Sequence, residues 1–274
     1  MQKSTDGSRS ILPRSAGKRL PILPIFAFSS SLLTVDLSSR IAPAIAITAV
    51  FALWARWMKA VTPGGALAGF AVALAIYLGA GPGGFVVVFG VFLITAIATR
   101  WRHGVKEQFG KHPQAGGRDG WQVIANLFAA AAVCIGSLFY PRAFYFLMPG
   151  AIAALAEAAA DTVSSETGEA IRGRTYMIVG FSRVEAGPDG GISLAGTLWG
   201  AIAAFTVAVL AWITGLVNPK WALISAACGF AGMLFDSILG ATVERRGLLG
   251  NDGVNFLSTI FAADLALLVS LLTS

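Results

Sequence analysis

GGALAGFAVALAIYLGAGPGGFVVVFGVFLITAIAT (residues 64–99) is apolar from end to end. Its two runs, 64–80 and 83–99, each have the length a helix needs to cross the roughly 30 Å hydrocarbon core of a bilayer. A helix is the natural spanning element because it satisfies its own backbone hydrogen bonds in lipid. The joint between the runs is GAGPGG (79–84). That hexapeptide formally matches G-x-G-x-x-G, but it follows no strand and joins two spans, which argues against a dinucleotide site.

Outward from this pair the same character continues. The chain is 56% hydrophobic and 12% charged, against about a quarter charged in a typical soluble domain. Further spans are expected at about 41–58, 121–139, 143–164, 194–215, 221–241 and 254–273. Residues 1–40 form a basic leader whose apolar part, 21–35, has two prolines. It reads either as a signal or transit peptide or, the reading favoured here, as a retained extra span. The expected fold class is therefore all-α: a polytopic membrane bundle of about 7–9 transmembrane helices, with one domain over 41–274. Cys134 and Cys228 lie far apart in apolar runs and read as buried thiols rather than a disulfide framework.

Charge sets the orientation. With 21–35 as a span, the segments 1–20, 56–63, 100–120, 161–193 and 242–253 share one side and carry 17 of the 20 Lys and Arg. The positive-inside rule then places them in the cytoplasm of a cell inner (plasma) membrane. The net charge of +6 reads as this orientation signal plus affinity for anionic headgroups, with no nucleic-acid partner.

On that side lies the stretch richest in chemistry, EAAADTVSSETGEAIRGRTYMIVGFSRVEAGPDGGISLAGT (157–197). Glu157 and Asp161 stand one helical turn apart and share a face. Arg172, Arg174 and Arg183 follow, then the glycine loop GPDGG. Acids for a divalent cation, bases for phosphate and a glycine loop suit phosphoryl transfer, where positioning and electrostatics supply most of the catalysis. GPDGG lacks the G-K-[ST] of a phosphate-binding loop, and two histidines in one basic loop make no zinc cluster.

Elsewhere, Arg118 and Asp119 precede the helix start QVIAN, whose free amides favour an anion; simple orientation charge is the alternative. Asn251 and Asp252 read either as helix caps or as part of a site with Asn255. Glu157, Asp161, Asp236 and Asp264 lie in or at the edge of apolar helices, where a charge is expensive and marks a functional candidate. Asp264, isolated in FAADLALL, is the weakest of the four.

ADTVSSETG (160–168), GPDGGISLAGT (187–197), FDSILGAT (235–242) and NDGVNFLST (251–259) resemble, in order, the motifs of one integral-membrane family. It is catalogued as domain of unknown function ninety-two and includes transmembrane protein nineteen and plant phytyl-phosphate kinases. The resemblance covers about residues 41–273. It implies transfer of a phosphoryl group from a nucleoside triphosphate, with CTP a candidate, to an isoprenoid monophosphate, with Mg²⁺ as cofactor. Carried over by motif, it marks Asp161, Ser165 and Glu166, then Gly190, Gly191, Ser193 and Thr197, then Asp236, Ser237, Asn251 and Asn255. Asp161, Glu166 and Asp236 are the expected catalytic acids, and Asp161 and Asp236 the expected metal ligands. Arg118, Arg172, Arg174 and Arg183 are expected to bind phosphate. A transporter or flippase of a lipid phosphate would use the same acids and arginines without a nucleotide.

Overall fold

The computed structural model describes residues 37–101, 117–171 and 173–273. The 21–35 segment, Arg172 and loop residues 102–116 lie outside them. Among the described residues seven helices are long and apolar enough to cross a membrane by length and composition. They are α1 (Leu37–Trp57), α2 (Pro63–Arg100), α3 (Gly120–Phe139), α4 (Phe144–Ile171), α5 (Leu194–Ile213), α6 (Pro219–Leu239) and α7 (Asn251–Thr273).

At 38 residues, α2 would be about 57 Å long if straight, nearly twice the hydrocarbon thickness. It is not straight. Gly81 adopts φ 70°, ψ −167°, a conformation open essentially to glycine alone, and the chain folds back on itself. A Cβ at Gly84 would lie 3.1 Å from Ile76 Cγ2, eight residues earlier, and the Tyr77 and Phe85 rings are 6.2 Å apart. The arms 63–80 and 82–100 are thus antiparallel, as the expected spans 64–80 and 83–99 require. Thr62 starts the first arm by accepting from Gly65 N at 3.1 Å, with Pro63 in the first turn. Arg100 Nη2 closes the hairpin by donating to Met58 O at 2.9 Å.

Around the hairpin the loops sort into two ends. Arg118 N donates to Ala60 O and Thr62 N to Arg118 O, both at 3.0 Å, joining the entry to α3 to the entry to α2. Arg245 Nη1 lies 3.5 Å from Met177 Sδ, joining the turn after α6 to the segment after α4. At the opposite end Ser137 Oγ donates to Gly79 O at 2.9 Å. The described parts of the basic segments between helices therefore lie at one end of the bundle.

Helix α4 is the axis. Seven alanines among residues 151–160 keep much of its surface slim, and the helix packs against α2, α3, α5, α6 and α7. Glycines on its neighbours bring the backbones close, the usual basis of helix contact in membranes. A Cβ at Gly229 of α6 would lie 2.7 Å from Ala156 Cβ, and one at Gly196 of α5 would lie 2.6 Å from Ser164 O. Expected to end near 164, α4 runs on unbroken to Ile171.

The region 173–193 adds a small antiparallel sheet to the all-helical expectation, in the order β2 (Arg183–Val184), β1 (Thr175–Met177), β3 (Gly191–Ser193). Thr175 pairs with both Val184 and Ser193. Strands of two or three residues are too short to show the alternation that would reveal them in sequence. After α6 the chain passes through a π-helical turn, Gly240–Glu244, before α7.

Candidate functional site

The site begins with carboxylates on α4 and α6. Asp161 and Asp236 stand close enough for their charges to interact, and Ser258 of α7 donates to Asp236 Oδ2 at 3.1 Å. One turn deeper on α4, Glu157 is 1% exposed, and its Oε1 has no hydrogen-bond partner among the described residues. The Glu157 side chain is fixed by close backbone approach: a Cβ at Gly232 of α6 would sit 2.6 Å from its Cγ. Its spacing from Asp161 was visible in the sequence; its enclosure by glycines of another helix was not.

Arg118 stands opposite. The capping box of α3 sets its position: Asp119 accepts from Gln122 N at 3.0 Å, and the Gln122 side chain accepts from Asp119 N at 3.1 Å. Its guanidinium donates from Nη2 to Thr162 Oγ1 at 3.3 Å. Burial holds the Arg118 guanidinium below its usual value, and the Glu166 and Asp161 carboxylates oppose that shift. A buried cation facing carboxylates keeps its charge.

Of these groups, Arg118, Thr162, Asp161 and Glu166 line a cavity of about 530 Å³ between α1, both arms of α2, α3, α4 and α7, whereas Glu157, Asp236 and Ser258 do not. Arg118, Asp161, Thr162, Ser165, Glu166, Asn251 and Asn255 line its polar end, together with Lys59 and Arg100. Phe51, Ala73, Val88, Val91 and Phe92 line its apolar limb. Five residues apart, Asp161 and Glu166 would point about 140° apart on an ideal helix. The helix does not break between them; the cavity is wide enough to meet both.

The other marked residues sit elsewhere. Gly190 has φ 77° and packs directly on the Ala241 backbone, leaving no room for a side chain, so the glycine loop is docked on the π-helical turn. Gly191 opens β3, and Ser193 caps α5 by accepting from Gly196 N at 3.1 Å. Thr197 lies half-buried in the first turn of α5, and Ser237 Oγ donates to its own helix at Met233 O, 3.3 Å. Arg174 and Arg183 are exposed at the sheet and do not line the cavity. Lys59 and Arg100 do. Arg100 opens the basic stretch 100–118, whose charge suits an anion-binding rim, whereas nothing local marks Lys59; the two meet because the α2 hairpin returns to its starting point.

An integral membrane protein family, DUF92, matches residues 46–263. This chain belongs to the DUF92 family. Among curated relatives, an uncharacterized membrane protein of Methanocaldococcus jannaschii is 35% identical over 54% of the chain and 60% of its own length. An uncharacterized membrane protein of Synechocystis is 28% identical over 76% of the chain and 82% of its own length. Protein VTE6, chloroplastic, of Arabidopsis thaliana is 30% identical over 69% of the chain and 59% of its own length. This DUF92 chain thus spans about three fifths of the first and third of these proteins. No solved structure matches it. Among its described residues no group of three or more His, Cys, Asp or Glu side chains is arranged to hold a metal ion.

Proposed function

We propose that this DUF92 protein is a membrane-embedded phosphotransferase that passes a phosphoryl group from a nucleoside triphosphate to an isoprenoid monophosphate. The observation that carries the reading is the single cavity joining a mouth of cations and carboxylates to an apolar limb. Such a substrate keeps its tail in the hydrocarbon and its phosphate at headgroup level, so it needs both halves in one space. The resemblance to a family with plant phytyl-phosphate kinases supports the same reading.

In the reaction, a phosphate oxygen of the monophosphate attacks the γ-phosphorus. The bond from that phosphorus to the β–γ bridging oxygen breaks, and a nucleoside diphosphate leaves. Lys59, Arg100 and Arg118 would hold the two phosphate groups together against their mutual repulsion and meet charge as it develops. Thr162 positions Arg118, and Asn251 and Asn255 offer amide donors to phosphate oxygens.

Two adjacent carboxylates fit Mg²⁺, which takes one or two carboxylates with substrate phosphates and keeps several waters. Asp161 and Asp236 would hold it, and the ion would supply charge neutralisation between the phosphates. The positive-inside rule, applied to the basic loops, supports a cytoplasmic mouth, where nucleotides are found.

The test is release of nucleoside diphosphate by detergent-purified protein given Mg²⁺, a nucleoside triphosphate and farnesyl or phytyl monophosphate. Turnover that depends on the isoprenoid phosphate is expected. If no chain length supports turnover and the protein instead moves a lipid phosphate across liposomes, the transporter reading replaces this one.

A further inference from the structure

Among the described residues, the apolar limb of the cavity shares a lining side chain with a groove on the outside of the bundle. Phe51 of α1 lines the cavity. The same residue also lines a second, outward-facing groove of about 390 Å³ between α1 and the returning arm of α2. Ala46, Ile47, Val50, Trp54, Phe85 and Phe89 complete that groove, so its walls are wholly apolar. Groove and cavity are therefore two rooms sharing Phe51 as their wall.

The wall is held by soft contacts. The Phe51 ring meets Phe85 and Phe89 at 5.6 Å and Phe92 at 5.1 Å, edge to face in each case. Such contacts tolerate rotation, because ring edges and faces can exchange partners without breaking a hydrogen bond. Its helix is lightly anchored too. The principal packing partner of α1 is α2, while Val50 and Leu53 are 67% and 70% exposed. Every other wall of the cavity is built on helices packed against α4 or against one another.

We propose that the seam between α1 and the returning arm of α2 is a lateral portal for the isoprenoid tail, with Phe51 as its leaf. This rests on the phosphotransferase reading for the identity of the ligand. The occupant follows from continuity: the groove opens to lipid, adjoins the apolar limb, and the limb leads to Lys59, Arg100 and Arg118. A lipid carrying a phosphate can slide tail-first through the seam while its phosphate stays at the mouth, so no charge crosses the hydrocarbon. Entry through the mouth would instead drag the whole tail through water.

The portal is testable by bridging it. In a Cys134→Ala/Cys228→Ala background, Val50→Cys and Phe89→Cys are joined by a short bis-methanethiosulfonate reagent. The protein is then placed in liposomes containing geranylgeranyl monophosphate with a diazirine on its tail. Photolabelling of the limb, read as modified peptides covering 66–73 and 88–92, should fall at least tenfold on bridging and return with dithiothreitol. Phe51→Ala, without the bridge, should speed labelling several-fold. Equal labelling of bridged and reduced protein overturns the portal. Labelling that responds to the bridge without any nucleotide turnover leaves the portal standing and removes the kinase reading instead.

Discussion

Helices α4 and α1 are built from similar residues and serve opposite ends. Both are apolar, both are rich in alanine, and both contain a proline (Pro149 and Pro43). Yet 72% of the apolar core of α4 is buried inside the protein, against 17% for α1. In α4 the alanines face glycines on neighbouring helices, so backbones approach and side chains cannot move. In α1 large side chains point into lipid, and the helix leans on one hairpin. Rigidity is concentrated where Glu157 and Asp161 must be held, and compliance where a lipid tail would enter. Hydrophobicity alone does not separate the two; residue size at the contact does.

That contrast is tested most severely at Asp161. Asp161→Asn keeps the side chain's volume and removes its charge, so the protein should fold and purify as before. Phosphoryl transfer should fall by roughly two to three orders of magnitude, the scale for losing one preorganised electrostatic group. Diphosphate release under saturating Mg²⁺ measures it. Unchanged turnover and unchanged lipid-phosphate transport would make the acid structural, and α4 a scaffold only.

The next effect is on stability. Gly232→Val would push branched carbons into Glu157, whose Cγ a single Cβ would already meet at 2.6 Å. Overpacking of this kind costs about 1–3 kcal/mol, and lipid offers no escape because the contact is internal. Thermal inactivation in detergent should shift down accordingly. If Gly232→Val is as stable as the parent, α4 is less tightly gripped than its burial indicates.

How far the sequence could show this differs between the two helices. Span positions, the break at GAGPGG and the clustering of basic loops at one end all follow from hydropathy, glycine and charge. So does the start of α3, where Arg118-Asp119 precedes QVIAN. The Asp161–Asp236 contact could be anticipated because two isolated membrane acids are costly and gain by sharing a site. Lys59 could not, since it belongs to an ordinary basic loop until the hairpin folds. Glu166 was marked by its motif alone, since on an ideal helix it points about 140° away from Asp161. The sheet at 175–193 was obscured by strand length, and the tight seat of Gly190 on Ala241 by the distance between them in sequence.

Arg118→Lys probes the polar end more gently. Lysine retains the charge but cannot reproduce the planar fork that reaches Thr162 while facing Asp161 and Glu166. An apparent Kd for nucleotide or isoprenoid phosphate weaker by roughly tenfold is expected, equivalent to about 1.4 kcal/mol, with folding unaffected. Equal affinity in the variant would mean that Lys59 and Arg100 hold the phosphates without it.

The smallest effect is expected on α1, and its smallness carries the argument. Leu53 is 70% exposed, so truncating it removes contacts with lipid or detergent rather than with protein. Those contacts are replaced by other hydrocarbon at little cost, since lipid tails are as apolar as the side chain they meet. Leu53→Ala should therefore change stability by less than about 0.5 kcal/mol, the usual range for surface positions away from special features. Leu155→Ala on α4, at 1% exposure, is the matched control and should cost about 2–5 kcal/mol, because the cavity left inside the bundle has nothing to fill it. Thermal inactivation of the two variants side by side reads the difference directly. Comparable losses would show that α1 is packed against a surface outside the described residues, such as a second copy.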